Sequence, residues 1–256
     1  MHLDVTNLRG FYYRTLLGRQ VQRAIRAEIA ALWPNFENMT VVGFGFAAPV
    51  LRPFLADARR VMCLMPSAQG VMHWPQGEPN SSALIAEFEW PVSTGAIDRL
   101  IVMHGLETSD HASNLLDEVL RVLAPGGKVI FVVPNRTGLW ARSDHTPFGY
   151  GRPYSLNQVE NQLRAHRFDI DHHRFALYAP PSHKSVWRRL GRWLDALNGK
   201  LPLPLASGVI LVEASKQVFA PTKPGLAARV KKPLAVIEGL AAPAPKPVPQ
   251  RRRPSN

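Results

Sequence analysis

Cys63 is the single cysteine in 256 residues, which excludes an internal disulfide and a multi-cysteine zinc site. Apolar runs stay well short of the ~20 residues needed to cross a bilayer, so no transmembrane segment is expected. The opening Met1-His2-Leu3-Asp4-Val5-Thr6-Asn7 has no basic stretch followed by an apolar one. No secretory signal is read there, and a cytoplasmic protein is expected. There is no His-x-x-x-His pair or carboxylate cluster of the kind that holds a metal. His172-His173 would point to opposite faces of a strand, a poor ligand pair. No internal repeat is visible. With 46% hydrophobic and 20% charged residues the composition is globular, which excludes collagen, a coiled coil and disorder throughout. The length suits one large α/β domain, or one domain with an appendage.

Positive charge is abundant but unevenly placed. From Lys216 onward there are nine lysines and arginines against Glu238 alone, eight of the chain's twelve net positive charges. Eight prolines share that stretch. Basic, Pro-rich and almost free of aromatics, residues 216–256 cannot bury enough surface to offset their ordering entropy. They are expected to be a disordered tail with a short helix near 235–240. Such a tail is either simply solvated or a weak tether for nucleic acid or an anionic membrane. The high overall charge therefore says little about the folded part.

The rest alternates between helical and extended patterns. Residues 14–32 carry Leu17, Val21, Ala24, Ile25 and Leu32 at helical spacing, with Pro34 just beyond. Strands are expected at 40–44, 60–65, 83–88, 97–103, 128–133, 175–178 and 209–214, several stopped by a proline. A helix is expected to start at 50–55, limited by Pro53. An amphipathic helix at 113–123 is expected to end on Ala124-Pro125-Gly126-Gly127 through a glycine cap. Ser155-Leu156-Asn157-Gln158 reads as a capping box opening a helix to about 165. Within 183–205, Trp187, Leu190, Leu194 and Leu197 form one apolar face beside Lys184, Arg188 and Arg192. That suits a helix capping the sheet better than one lying on a membrane. The expected organisation is an N-terminal helical segment (1–34), a doubly wound α/β domain (35–215, with the 183–205 insertion) and the basic tail. Ligands of such sheets bind beyond the carboxyl ends of the strands, here near 43–48, 65–67, 87–90, 104–106 and 134–136.

Two stretches carry a family resemblance. Ile97-Asp98-Arg99-Leu100-Ile101-Val102-Met103-His104-Gly105-Leu106-Glu107 is followed by Leu116-Asp117-Glu118-Val119-Leu120-Arg121-Val122-Leu123-Ala124-Pro125-Gly126-Gly127-Lys128. Together they resemble class I S-adenosylmethionine-dependent methyltransferases of the type 11 group, over roughly residues 35–215. The resemblance implies a Rossmann-like, mostly parallel seven-stranded sheet with its last strand antiparallel. It also implies S-adenosylmethionine as cofactor and methyl transfer to an acceptor that the sequence does not name.

The same resemblance places the cofactor. Gly43-Phe44-Gly45-Phe46-Ala47-Ala48-Pro49 occupies the glycine-rich turn after the first strand, with Gly43 where the family has an acid, Gly45 on its first glycine and Ala47 on its second. Met65-Pro66-Ser67 stands where the family's ribose-binding acid ends the second strand. Glu87 would receive the adenine amino group and Phe88 would contact its ring. His104 occupies the position facing the cofactor's methyl. The loop 135–154 has the length of a lid. From it, His145, Tyr150 and Arg152 are expected to face the substrate, although Tyr150 and Tyr154 would equally serve to pack the loop down. Two other readings remain. One is a non-catalytic methyltransferase-fold protein that binds RNA or a partner through its basic tail. The other, a nicotinamide dehydrogenase, is disfavoured by the absence of G-x-G-x-x-G spacing.

Overall fold

The computed structural model describes residues 4–182 and 206–217. The expected helix within 183–205 and the basic tail beyond residue 217 lie outside the described residues. Helix α1 (Val5–Arg9) starts at Asp4, whose carboxylate accepts the Thr6 N–H at 2.7 Å, and runs into a π-helical turn, Gly10–Arg14. Helix α2 (Leu16–Leu32) begins two residues later than its apolar spacing suggests, because Thr15 takes the cap. Its Oγ1 accepts the Gly18 N–H at 2.9 Å and donates to the Phe11 carbonyl at 2.7 Å. Only glycine fits at 18, since a Cβ there would lie 2.0 Å from the Phe11 oxygen. Leu17, Val21, Ile25 and Ile29 form the buried stripe of α2.

Seven strands form one sheet: β1 (Thr40–Gly45), β2 (Arg60–Pro66), β3 (Ser82–Ile85), β4 (Ile97–Met103), β5 (Leu123–Pro134), β6 (Phe168–Ala176) and β7 (Val209–Lys216). Their order is β3-β2-β1-β4-β5-β7-β6. The first five are parallel, and β7 runs antiparallel between β5 and β6. This is the doubly wound, mostly parallel sheet with an antiparallel last strand. Helix α3 (Ala48–Leu51) gives way to a 3-10 turn, Arg52–Leu55, as Pro53 requires. Helix α4 (Ala112–Val122) follows β4, and α5 (Leu156–Ala165) opens with the Ser155–Gln158 capping box.

Three expectations need correction. The third strand ends at Ile85, and beyond it the chain turns so that the Trp90 N–H meets Glu118 at 2.7 Å. Helix α4 stops at Val122 with Leu123 already extended, so Ala124-Pro125-Gly126-Gly127 forms the irregular opening of β5 and not a helix cap; Gly126 has φ +75°. Strand β6 begins at Phe168, well before 175, because exposed Asp169, His172 and His173 on this edge strand mask its apolar alternation.

The core lies on both faces of the sheet. On one face the N-terminal helices, α3 and the alternate residues Val41, Cys63, Ile101 and Ile130 pack together. On the other, α4 and α5 cover Val42, Leu64, Leu100, Val102 and Phe131. The neighbours of β1 are β2 on one side and β4 on the other, so the strand order reverses between β1 and β4. Open α/β sheets bind their ligands in the crevice at that reversal.

Candidate functional site

The crevice begins with the exit from β1. Gly45 has φ +76°, and a Cβ there would lie 2.4 Å from the Met103 carbonyl, so any side chain would drive β1 and β4 apart. The Phe46 N–H donates to that same carbonyl at 2.7 Å. Gly43 faces Ala47 and Leu51, each with an atom 2.6 Å from where its Cβ would be. Both glycines are therefore demanded by the protein's own packing. Gly43, Gly45, Ala47 and Met65 are all buried.

What covers them is the N-terminal segment. The Tyr12 ring, 0% exposed, stacks on Phe46 with centroids 5.8 Å apart and an interplanar angle of 23°. Its hydroxyl lies 2.6 Å from His104 Nε2. His104, at the end of β4, has φ +54° and is 1% exposed. Its Nδ1 lies 3.1 Å from Glu107 Oε1. Phe148 closes the far side, 4.9 Å from the imidazole. Gln69 donates its side-chain N–H to the His104 carbonyl, and its backbone carbonyl accepts the Val5 N–H at 2.8 Å. Gln22 in turn donates to the Tyr12 carbonyl. The crevice is thus occupied by a side chain that is held at both its hydroxyl and its backbone.

Burial, reinforced by Glu107, pushes the Tyr12 phenol well above its ordinary value, so it stays protonated. A carboxylate only accepts. The consistent assignment has the Tyr12 hydroxyl donating to His104 Nε2, and His104 Nδ1–H donating to Glu107. Several polar atoms around this chain are left over. Gln69 Oε1, Glu107 Oε2 and Ser109 Oγ are buried with no hydrogen-bond partner among the described residues. Such orphans are costly and call for an explanation at a site.

The other expected residues lie elsewhere. Glu87 and Phe88 follow β3; Phe88 packs against the opposite core layer, edge-on to His111 at 5.7 Å, and the Glu87 carbonyl accepts from Trp90 Nε1 at 2.9 Å. Ser67, in the place of the ribose-binding acid, is exposed. His145 and Arg152 are exposed, while half-buried Tyr150 donates to the Asp144 carbonyl at 3.2 Å. The loop does reach the crevice, but through Phe148, and it is anchored by the Arg152 N–H on the Glu107 carbonyl at 2.8 Å. Tyr12 and Phe148 had no signature in the sequence, whereas Glu107 closes the fourth-strand motif and Gln69 follows the end of the second strand, where a substitute for the missing acid could sit.

No family model and no curated protein matches the chain. Solved structures do match. A chain from Haloferax volcanii, solved in complex with the Trm112 methyltransferase activator, superposes with TM-score 0.59 at 16% identity, over 85% of this chain and 100% of that one. An S-adenosylmethionine-dependent methyltransferase from Thermotoga maritima gives 0.55 at 14% identity, over 81% and 93%. The [4+2]-cyclase SpnF gives 0.51 at 18% identity, over 77% and 81%. The architecture is accordingly the class I methyltransferase fold, one that also carries chemistry other than methyl transfer.

Proposed function

We propose that this chain is an S-adenosylmethionine-dependent methyltransferase whose cofactor crevice is closed, in the conformation described, by its own Tyr12. The observation that carries this reading is the set of unpartnered acceptors at the β1/β4 reversal. Gln69 Oε1 and Glu107 Oε2 flank His104 there and suit a cationic ligand rich in N–H and O–H donors. Glu107 supplies a buried carboxylate, although Gly43 within β1 and the Met65-Pro66-Ser67 end of β2 offer no acid. With Tyr12 withdrawn, Gly45, Ala47 and Met65 would floor the cofactor. When bound, the cofactor supplies an electrophilic methyl on sulfur.

The chain's own residues then have three tasks. His104 Nε2, released from Tyr12, is a free acceptor for a proton from the methyl acceptor, and Glu107 holds the imidazole in the tautomer that can take it. Phe148 and Trp140, packed edge-to-face at 5.8 Å, keep water from that nitrogen. His145, Tyr150 and Arg152 border the loop through which the acceptor would enter. The acceptor itself is unassigned.

A second reading rests on Tyr12 itself. A fully buried ring with hydrogen bonds at both ends fits a permanent plug, and then the chain is a non-catalytic protein of this fold. Calorimetric titration of S-adenosylhomocysteine into the wild type and Tyr12→Ala separates the two. Micromolar binding, tighter in the variant, supports the enzyme. No heat from either protein up to millimolar ligand, with both folded by circular dichroism, leaves the plug.

A further inference from the structure

Beside the crevice, on the outer side of α3, lies a cleft of about 290 Å³, at the small end of the range for small-molecule sites. Four arginines from four elements line it: Arg9, Arg14, Arg26 and Arg52. Neither aspartate nor glutamate is among its lining residues. None of the four has an ion-pair partner among the described residues. Tyr13 and Trp74 provide aromatic walls.

One of the four cations is held in place by the fold. Arg26 is fixed from α2, its guanidinium donating to the Pro49 carbonyl through Nε at 2.8 Å and also through Nη2, which reaches Gln22 Oε1 at 3.3 Å. Burial, and then the neighbouring Arg52, lower the Arg26 pKa. Arg26, Arg52 and Arg9 all act on the Tyr13 hydroxyl. Arg9, Arg14 and Arg52 stand exposed around half-buried Arg26, so a bound anion would meet four cations and no carboxylate from the cleft lining. Guanidinium groups match phosphate oxygens through paired, charge-assisted hydrogen bonds.

We propose that this cleft binds a phosphomonoester linked through a sugar to an aromatic base, the chemistry of a mononucleotide. The phosphate lies among Arg9, Arg14, Arg26 and Arg52, and the ring lies against Tyr13 and Trp74. Four positive charges disfavour a sulfonium cation, so the site is separate from the one proposed for S-adenosylmethionine and stands whether or not methyl transfer occurs.

The test is calorimetry on the full chain with AMP, adenosine and inorganic phosphate. AMP should bind at least tenfold more tightly than adenosine and more tightly than phosphate, in keeping with charge-assisted contacts. The exposed positions make Arg14→Gln and Arg52→Gln safe for the fold, and each should weaken AMP about tenfold. An unchanged thermal midpoint for both variants assigns the loss to the site. Equal binding of AMP and adenosine, or AMP affinity indifferent to both substitutions, overturns the proposal. Competitive displacement of AMP by S-adenosylhomocysteine also overturns it, because the two sites would then be one. A single-stranded RNA that outcompetes AMP and is lost in the same variants would show a nucleic-acid surface instead.

Discussion

The Tyr12 hydroxyl meets His104 Nε2 at 2.6 Å across a sequence separation of 92 residues, joining the N-terminal segment to the end of β4 at the crevice. That single contact turns an expected ligand cradle into a closed one. Its consequences can be measured separately from any activity.

Tyr12→Phe keeps the stacking on Phe46 and removes only the hydroxyl, leaving His104 Nε2 buried and unpaired. We expect a loss of ~1–3 kcal/mol of stability. Urea denaturation at neutral pH checks it, and a midpoint equal to the wild type would mean that water or another group replaces the phenol.

Gly45→Ala distinguishes a glycine kept for packing from one kept for a ligand. With φ +76° and a Cβ 2.4 Å from the Met103 carbonyl, alanine should cost stability outright. We expect a thermal midpoint lower by several degrees, on the order of 1–3 kcal/mol of strain. A stable variant that has lost only ligand affinity would contradict the packing role.

Alkaline pH should unfold this protein early. Burial raises the Cys63 thiol from 9.0 to about 12 and holds the Tyr12 phenol well above 10.0. Both groups are neutral when protonated, so the native state keeps protons that the unfolded chain releases. Their contribution is complete below pH 9 and is lost as pH climbs from there through the folded values. Urea midpoints measured between pH 8 and about 10.5 should fall steadily, and Cys63→Ala should flatten the fall by up to one proton. An identical slope in the variant would remove Cys63 from the account.

Glu213 is 1% exposed on β7, between β5 and β6, and accepts from Trp33 Nε1 at 2.8 Å and Lys128 Nζ at 3.2 Å. Lys128→Met takes away the nearest countercharge and one hydrogen bond, with Arg99 still acting on the carboxylate, and should cost about 1–3 kcal/mol. Glu213→Gln, which keeps the size and an acceptor for Trp33, should cost less. The opposite ranking in chemical denaturation would show that Lys128 is dispensable to the pair.

The ordered elements were largely readable along the chain. The 97–103 strand, the α4 stripe and the Ser155 capping box each depend on residues within a few positions of one another. The misread boundaries have separate causes. On the edge strand β6, exposed Asp169, His172 and His173 break the apolar pattern, and at the Pro-Gly-Gly turn a strand register outweighs the local glycine preference. The glycines at 43 and 45 were legible as a tight turn, but not that β4 and α3 fill the space beside them.

Periodicity, capping and turn chemistry are short-range, and they specify a doubly wound sheet and the carboxyl edge where its ligands bind. Whether that edge stands open is a long-range matter. It depends on which side chain from a distant segment can stack on Phe46 and satisfy His104 together, and no local pattern around Tyr12 encodes such a partner. The same holds for the arginine cleft, where cations spaced far apart in the chain converge only once α2 packs on α3.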